Sequence, residues 1–235
     1  QQNIELVTIK TKGDKILDVP LAKVGGKGLF VKEIEQALLD GRIDIAVHSM
    51  KDMPSEIPAG LCIGAIPTRE DSADVLISKN GLHLSELKHG AVIGTSSLRR
   101  GAQIRHARPD IIIVPLRGNV ETRLKKLQTE NMDAVVLAAA GVKRLNLEYR
   151  ITEYLDPGIM LPAVGQGALS IEIRQNDPDI QSIIKTLDDP PTRAIVTGER
   201  AFLNYLGGSC QVPIAGHGEI NRNTFNLTGL VADPD

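Results

Sequence analysis

The first two-thirds of the chain alternates short apolar runs with segments in which apolar residues recur at intervals of three and four. Short apolar runs are typical of β-strands, whereas the longer interval is typical of amphipathic helices. The first round of this pattern predicts strands at residues 4–10, 43–47, 61–66 and 73–78 and a helix at 28–41. The short run at 43–47 is mostly apolar, which predicts a parallel strand that is covered on both faces.

A second round follows directly. It predicts strands at 91–95, 110–116 and 133–141 and helices at about 97–107 and 120–128. Strands and helices in regular alternation are typical of doubly wound α/β folds, in which helices cover both faces of a sheet. The sequence therefore predicts this fold class for the larger part of the chain.

The pattern changes in the last third of the chain. Two helices are predicted at about 178–188 and 191–206, and an alternating strand of antiparallel type is predicted at 224–232. The Asp-Asp-Pro-Pro-Thr stretch at 188–192 is typical of a linker. We therefore expect a small α+β domain at the C-terminal end, and we expect it to be incomplete because the chain stops just after the last strand.

Composition excludes several classes of partner. Hydrophobic residues make up 42% and charged residues 24% of the chain, which is typical of a globular protein with a sizeable core. The net charge of −2, the pI of about 6.3 and an aromatic content of 3% argue against a nucleic-acid partner. No apolar run approaches the roughly 20 residues that a membrane helix needs, so we expect no membrane partner. The histidines and cysteines show no metal-ligand spacing, so we expect no metal site.

Arginine is nevertheless concentrated in one region, residues 99–123. We expect a nearly neutral protein with such a local concentration of guanidinium groups to bind a small anion rather than a polymer. At this stage a solvated helix face remains the alternative interpretation.

Three polar clusters come directly after predicted strands: His48–Pro54 (HSMKDMP), Gly94–Arg100 (GTSSLRR) and Arg117–Asn119, with Arg123 in the following helix. Ligands of open α/β sheets bind beyond the carboxyl ends of the strands. The second cluster also begins a helix, whose free N–H groups attract anions. Guanidinium groups bind carboxylates and phosphates equally well, so the residues by themselves leave the identity of the anion open.

Asp52 is a carboxylate that directly follows Lys51, and the arginine clusters are expected close to it. One interpretation is that it balances the charge of Lys51 or caps a turn. The other is that it is an anion held in a cationic pocket. In that setting an ionised carboxylate suits the stabilisation of a developing cation better than the role of a standing general acid.

The two cysteines lie in different settings, which argues against a disulfide and favours a reducing compartment such as the cytoplasm. Cys62 lies in an apolar run and is expected to be a small buried side chain. Cys210 lies in LGGSCQVPIAG, where two preceding glycines and a following proline predict a tight, exposed turn.

The sequence resembles the porphobilinogen deaminase family, also called hydroxymethylbilane synthases, in five motifs. These are HSMKDMP, GTSSLRR, LRGNVETRL, LPAVGQGAL and GGSCQVPI, and they occur in the family's order along nearly the whole chain. The family's opening strand and the last helical part of its third domain have no counterpart here, so we expect the chain to lack them.

This resemblance implies two doubly wound domains similar to type II periplasmic binding proteins, plus a small α+β domain. The implied boundaries are 1–68 with 166–187 for the first domain, 73–161 for the second and 190–235 for the third, which carries the cofactor. The discontinuity of the first domain comes from the resemblance alone.

The resemblance also implies a transferase of tetrapyrrole (heme) biosynthesis. It would deaminate four porphobilinogen molecules and join them head to tail into linear hydroxymethylbilane. The primer would be a dipyrromethane cofactor attached to Cys210 through a thioether. The family suggests a monomer, located in the cytoplasm, with porphobilinogen as its partner.

By motif position, Asp52 is the implied catalytic residue. The implied cofactor-binding residues are Cys210, Lys51, Ser49, Thr95, Ser97, Arg99, Arg100, Arg117, Gly118 and Arg123. The residues implied in substrate binding or chain elongation are Arg144, Gln166 and Phe30.

The alternative from another class is a non-catalytic two-lobed protein that binds a small organic anion. It accounts for the arginines at the strand ends, but it gives no role to Cys210 or Asp52. An RNA-binding module is excluded by charge and aromatic content.

Overall fold

The computed structural model describes residues 4–11, 31–54, 56–208 and 212–233. The helices of this part are α1 (Lys32–Leu39), α2 (Leu98–Ala107), α3 (Val120–Thr129), α4 (Ala139–Arg144), α5 (Pro178–Ile184) and α6 (Pro190–Tyr205). The strands are β1 (Ala46–Ser49), β2 (Leu61–Ala65), β3 (Asp74–Ser78), β4 (Val92–Gly94), β5 (Ile112–Val114), β6 (Ala134–Ala138), β7 (Glu153–Tyr154), β8 (Leu169–Arg174), β9 (Ile214–Asn221) and β10 (Thr224–Val231). In the described ranges, no helix is both long and apolar enough to cross a membrane.

The largest sheet has five strands in the order β5-β4-β6-β3-β7. Strand β4 runs parallel to both β5 and β6, whereas β3 runs antiparallel to β6 and β7. Neighbouring residues of β3 enter different cores: Leu76 packs with Ile104 of α2, while Val75 and Ile77 pack with Leu124 of α3. Because helices cover both faces, the prediction of a doubly wound α/β layer is confirmed for this part.

Both helices that follow β4 and β5 begin at a side-chain cap. The Ser97 hydroxyl accepts a hydrogen bond from the Arg100 N–H at 3.4 Å, and the Asn119 side chain accepts one from the Thr122 N–H at 2.8 Å. Ser and Asn at this position satisfy an otherwise unpaired helix N–H. The caps therefore fix the polar turns at the carboxyl ends of two parallel strands.

The second sheet has the order β1-β8-β2, with β8 antiparallel to both neighbours. The predicted parallel strand at 43–47 is therefore wrong in both direction and bounds. Ala46 and His48 are buried, while Val47 between them is 61% exposed. The apolar run is misleading because one of its strongest hydrophobic residues lies on the outer face.

The predicted strand at 4–10 is also wrong for this structure, because residues 4–11 form no regular secondary structure. Ile4 is 87% exposed and Leu6 is 93% exposed. A strand requires a hydrogen-bonded neighbour, and no strand in the described ranges pairs with this segment.

Helix α6 packs against the third sheet, the antiparallel pair β9–β10. The antiparallel strand predicted at 224–232 is confirmed, whereas its partner β9 was not predicted. Glycines obscure β9 in the sequence, yet the structure requires them. A Cβ at Gly218 would lie 2.7 Å from the Phe225 ring, and one at Gly216 would lie 2.9 Å from the Val164 side chain.

Two connections join the larger sheets: the first connection is residues 66–73, and the second connection is residues 161–168. They are bonded to each other through Gln166 Nε2, which donates to the Ser72 carbonyl at 2.7 Å, and the Glu70 N–H, which donates to the Gly167 carbonyl at 3.3 Å. Gly167 has a φ of +87°, and a Cβ there would collide with the Glu70 carbonyl oxygen. Glycine is therefore required where the two backbones meet.

Glu199 of α6 ties the third sheet to both connections. Its carboxylate is fully buried and accepts two hydrogen bonds from Arg69, at 2.7 and 3.2 Å. It also accepts the N–H of Gly165 at 2.7 Å and that of Gly218 at 2.8 Å. A buried carboxylate with this many hydrogen-bond donors is well satisfied. If the carboxylate is removed, each of these donors loses its hydrogen bond to it.

We expect Glu199→Ala to lower the free energy of unfolding by about 3–5 kcal/mol, because the half-buried Arg69 guanidinium loses its counter-charge and two N–H groups lose their acceptor. Urea denaturation measures this loss. Glu121→Ala, at an exposed position of α3, is the matched control. A loss below about 1 kcal/mol for Glu199→Ala would show that water replaces the carboxylate.

Candidate active site

The three polar clusters that follow strands lie close together in space, although they come from two different sheets. Lys51 and Asp52 form the end of a short 3₁₀ helix directly after β1. Lys51 interacts electrostatically with Arg100, and Asp52 interacts with Arg123. The fold therefore brings cations from all three clusters near the Asp52 carboxylate.

Lys51 is half-buried between charges of both signs. Burial lowers its pKa to about 8, with Arg100 and Arg99 acting in the same direction. Asp52 and Asp74 oppose this shift. A lysine with such a pKa is still mostly charged at neutral pH, and it loses its charge as the pH rises through about 8.

The side chains of Arg99 and Arg100 are buried against Asp74, the first residue of β3. Arg99 Nη1 donates to Asp74 Oδ2 at 2.7 Å and to the Leu161 carbonyl at 2.7 Å. Arg100 Nε donates to Asp74 Oδ1 at 2.8 Å, and its Nη1 donates to the Val136 carbonyl at 3.0 Å. Both arginines thus have protein partners before any ligand is considered.

Asp74 itself is completely buried. Burial is the largest effect and raises the pKa of its carboxyl, but Arg100 and Arg99 together outweigh it and hold the pKa at about 2. Asp74 was not predicted as a site residue, although an acidic residue at the start of an apolar strand is typical of a buried ion pair.

Hydroxyl groups connect the two helix-starting turns. Thr95 Oγ1 accepts the Ser97 N–H at 3.2 Å, which holds the first turn in shape. Ser96 Oγ donates to the Leu116 carbonyl at 3.0 Å and accepts the Leu116 N–H at 2.9 Å, so it links the ends of β4 and β5. Ser96 was not predicted as a site residue, whereas Thr95 and Ser97 were.

Arg123 lies over the second turn. Its Nε donates to the Gly118 carbonyl at 2.7 Å, and Gly118 has a φ of +115°, which favours glycine. Burial lowers the pKa of Arg123, Arg100 and Arg117 add to this effect, and Asp52 opposes it. The turn therefore brings Arg117 and Arg123 together near the Asp52 carboxylate.

A small cleft of about 60 Å³ lies between the two larger sheets and is partly open to solvent. Its polar lining is Ser49, Lys51 and Arg144, and the rest is formed by Ala138, Ala140, Gly141, Gly167 and Ala168. Arg144 Nη2 donates to the Gly167 carbonyl at 2.9 Å. Two cations and a hydroxyl in a cleft walled by small residues suit a flat anionic ligand.

Comparison with known protein families matches the model "Porphobilinogen deaminase, dipyromethane cofactor binding domain" to residues 1–182. A second model, "Porphobilinogen deaminase, C-terminal domain", matches residues 194–235. The chain belongs to the porphobilinogen deaminase family. The resemblance expected from the five motifs is thereby confirmed.

Two curated porphobilinogen deaminases illustrate the similarity. That of Syntrophotalea carbinolica is 58% identical over 99% of this chain and 74% of its own length. That of Bacillus subtilis is 58% identical over 98% of this chain and 74% of its own length. The deaminase family is therefore matched along practically the whole chain.

Solved structures with a similar fold include the BvgS periplasmic VFT2 domain of Bordetella pertussis, which is 15% identical, with a TM-score of 0.41, over 73% of this chain and 72% of that one. An ancestral cationic amino acid solute binding protein is 16% identical, with a TM-score of 0.40, over 74% of this chain and 69% of that one. These likenesses are too distant to carry an argument about the deaminase site.

The resemblance implied that Gln166 takes part in substrate binding or chain elongation. Its side chain is buried. Its Nε2 donates to the Ser72 carbonyl at 2.7 Å and to Asp74 Oδ1 at 3.1 Å. Its Oε1 is buried without a hydrogen-bond partner among the residues that the structure describes. Gln166 thus holds the two connections together and keeps one acceptor unused.

Phe30 and Cys210 lie outside the described residues, so their predicted roles have no structural account here. In the described part of the chain, no three His, Cys, Asp or Glu side chains form a group that could hold a metal ion.

The lowered pKa of Lys51 predicts a pH-dependent stability. Between pH 8 and 10.5 the unfolded chain holds a proton on Lys51 that the folded chain has lost, so stability rises with pH in that window. We expect the wild-type free energy of unfolding to rise relative to that of Lys51→Met across this range, measured by urea denaturation. Lys126→Met, in exposed helix α3, is the control. If the free energy of unfolding depends on pH in the same way for wild type and Lys51→Met, the lowered pKa of Lys51 is contradicted.

Proposed function

We propose that the chain is a hydroxymethylbilane synthase, a transferase that joins four porphobilinogen molecules into linear hydroxymethylbilane on a dipyrromethane primer. The observation that carries this proposal is the family match over residues 1–182 and 194–235, together with 58% identity to curated porphobilinogen deaminases. The non-catalytic binding protein is not favoured, because these relatives are enzymes by name.

The reaction explains why cations are needed. Porphobilinogen is a pyrrole with an acetate, a propionate and an aminomethyl group. Loss of ammonia leaves a cationic methylene, the free α-carbon of a second pyrrole attacks it, and the α-hydrogen leaves as a proton. Each addition forms one C–C bond and releases one ammonia, and water finally releases the product. Every ring adds two carboxylates to the site.

The cofactor fits the described residues. When bound, dipyrromethane supplies the first nucleophilic α-carbon, and its two rings carry carboxylates that require cationic partners. Lys51 and Arg144 line the cleft, and Arg117 and Arg123 lie at the adjoining turn. The unused Gln166 Oε1 is also a suitable acceptor for a ring N–H group.

The proposed binding residues fall into two groups. Lys51, Arg117, Arg123 and Arg144, with the hydroxyl of Ser49, are proposed to contact ligand carboxylates directly. The second group shapes the site and adds positive charge to its wall, and it consists of Thr95, Ser97, Arg99, Arg100 and Gly118. Their bonds to Asp74 and to the turn backbones support this division.

Asp52 is proposed as the catalytic residue. It is exposed at the end of the 3₁₀ helix and interacts electrostatically with Lys51 and Arg123. A carboxylate in this cationic setting can stabilise the positive charge that passes through the reacting ring, because it lies in the site before the charge develops.

Cys210 is proposed as the cofactor attachment site. The other cysteine, Cys62, lies on β2, and burial raises the pKa of its thiol, which makes it a poor nucleophile. Helix α6 ends at Tyr205 and strand β9 begins at Ile214, so Cys210 lies between them in the sequence. A thiol in the exposed turn that the sequence predicts there is suited to attack an electrophilic methylene.

The proposal includes three domains, at 1–68 with 166–187, at 73–161 and at 190–235. Three separate sheets and the break between the two family matches support these boundaries. A monomer in the cytoplasm completes the proposal. The free thiol of Cys62 is compatible with a reducing compartment, and size-exclusion chromatography tests the monomer.

Asp52→Asn keeps the size of the side chain and removes its charge. We expect turnover to fall roughly 10²–10³-fold, because a preorganised electrostatic contact is lost from the transition state. Substrate binding should persist, since the cations remain, and steady-state kinetics separate the two effects. Asp179→Asn, an exposed acid in the first turn of α5, is the control. A turnover within about threefold of wild type would mean that a carboxylate other than Asp52 stabilises the transition state.

Cys210→Ser should remove the covalent pyrrole adduct and turnover together, while circular dichroism shows that the fold is kept. Intact mass before and after incubation with porphobilinogen measures the adduct. Cys62→Ser should retain the adduct and is the matched control. A Cys210→Ser protein with an adduct and full activity would contradict the assignment.

A further inference from the structure

The basic pair at the end of α4 binds both connections between the larger sheets. Lys143 Nζ lies 3.1 Å from Glu70 Oε1 and 3.1 Å from Asp71 Oδ2 of the first connection. Arg144 Nη2 donates to the Gly167 carbonyl of the second connection at 2.9 Å. We call these five residues the connection latch.

Both acids of the connection latch are held in place by backbone groups. Glu70 Oε1 also accepts the Asp71 N–H at 2.8 Å, and Asp71 Oδ1 accepts the Ala73 N–H at 2.9 Å. The Asp71 N–H and Lys143 lower the pKa of Glu70, while the two carboxylates raise the pKa of Lys143. Lys143 therefore enters a preformed pair of carboxylates and remains charged over the whole neutral range.

The Gly167 carbonyl has two donors, Arg144 Nη2 and the Glu70 N–H at 3.3 Å. If Arg144 leaves, the carbonyl keeps the second donor and is not stranded. A carboxylate is a stronger acceptor for a guanidinium group than a neutral carbonyl is. Since Arg144 also lines the cleft, an incoming carboxylate can replace the carbonyl as its partner.

Lys143, in contrast, would gain no stronger acceptor from an incoming carboxylate. It is bound to two charged acceptors of the first connection, and it lies 5.8 Å from the centre of the Tyr154 ring on β7. Its ion-pair partners are therefore both charged, whereas the backbone partner of Arg144 is a neutral carbonyl.

We propose that Lys143 is a positioning residue, which keeps α4 fastened to the first connection while Arg144 exchanges the Gly167 carbonyl for the carboxylates of the lengthening product. This inference rests on the proposed function in one respect, namely that Arg144 meets product carboxylates. It assigns no chemical step to Lys143.

Amide hydrogen exchange tests the latch without substrate and without reference to activity. In Lys143→Met we expect the Glu70 N–H to exchange about fivefold faster than in wild type, since the loss corresponds to the upper range for a partly exposed ion pair. Lys143→Arg keeps the charge and should restore protection. Lys126→Met, which removes an exposed partner of Glu130 on α3, should leave the Glu70 exchange rate unchanged.

A second measurement follows the mass of the full-length protein during incubation with limiting porphobilinogen. In Lys143→Met we expect the species with three and four added units to accumulate at least threefold above wild type, with the first addition unaffected. Glu70→Gln combined with Asp71→Asn should give the same pattern. This double variant replaces Lys143→Met in the experiment if Lys143→Met folds poorly.

Unchanged exchange and an unchanged mass pattern in a folded Lys143→Met protein would overturn the inference. So would a uniform slowing of all additions accompanied by a lower melting temperature, because that result indicates a purely structural role. If the wild-type protein adds no pyrrole mass, the proposed function fails, while the exchange experiment still decides whether the latch exists.

Discussion

The carboxylate of Asp74 accepts hydrogen bonds from Arg99, Arg100 and Gln166 while it is excluded from solvent. Isolated guanidinium groups cannot be buried in the wall of a cleft without a counter-charge, because the cost of desolvation is several kcal/mol per ion. Asp74 supplies that charge and also the contact to the second connection. The cationic wall, the position of α2 and the junction of the two larger sheets therefore depend on one buried anion.

Glu199 has the corresponding role on the other side of the connections. It binds Arg69 of the first connection, Gly165 of the second and Gly218 of β9. Buried carboxylates with several donors fix geometry because every alternative arrangement leaves a donor unsatisfied. The two carboxylates thus form a rigid frame around a cleft whose own charged residues, Lys51, Asp52 and Arg144, are partly or largely accessible.

This separation suits a site that must accommodate product of increasing length. Residues of the frame are committed to protein partners, whereas Arg144 holds a neutral carbonyl that a carboxylate can displace. Excess positive charge in the cleft favours anionic rings, and we propose that the carboxylate of Asp52 opposes it where positive charge develops. On this proposal the protein holds many carboxylates while it stabilises a cation.

Features that depend on neighbouring residues could be predicted from the sequence. The helices after β4 and β5 and the polar strand ends follow from local periodicity, and the motifs identify the family. Tertiary structure decided the direction of β1, the strand β9 behind its glycines, and the burial of Arg99 and Arg100. Asp74 and Arg99 are 25 positions apart, and Arg69 and Glu199 are 130 apart. Such partners share no local pattern, because their pairing is set by how the sheets and connections pack.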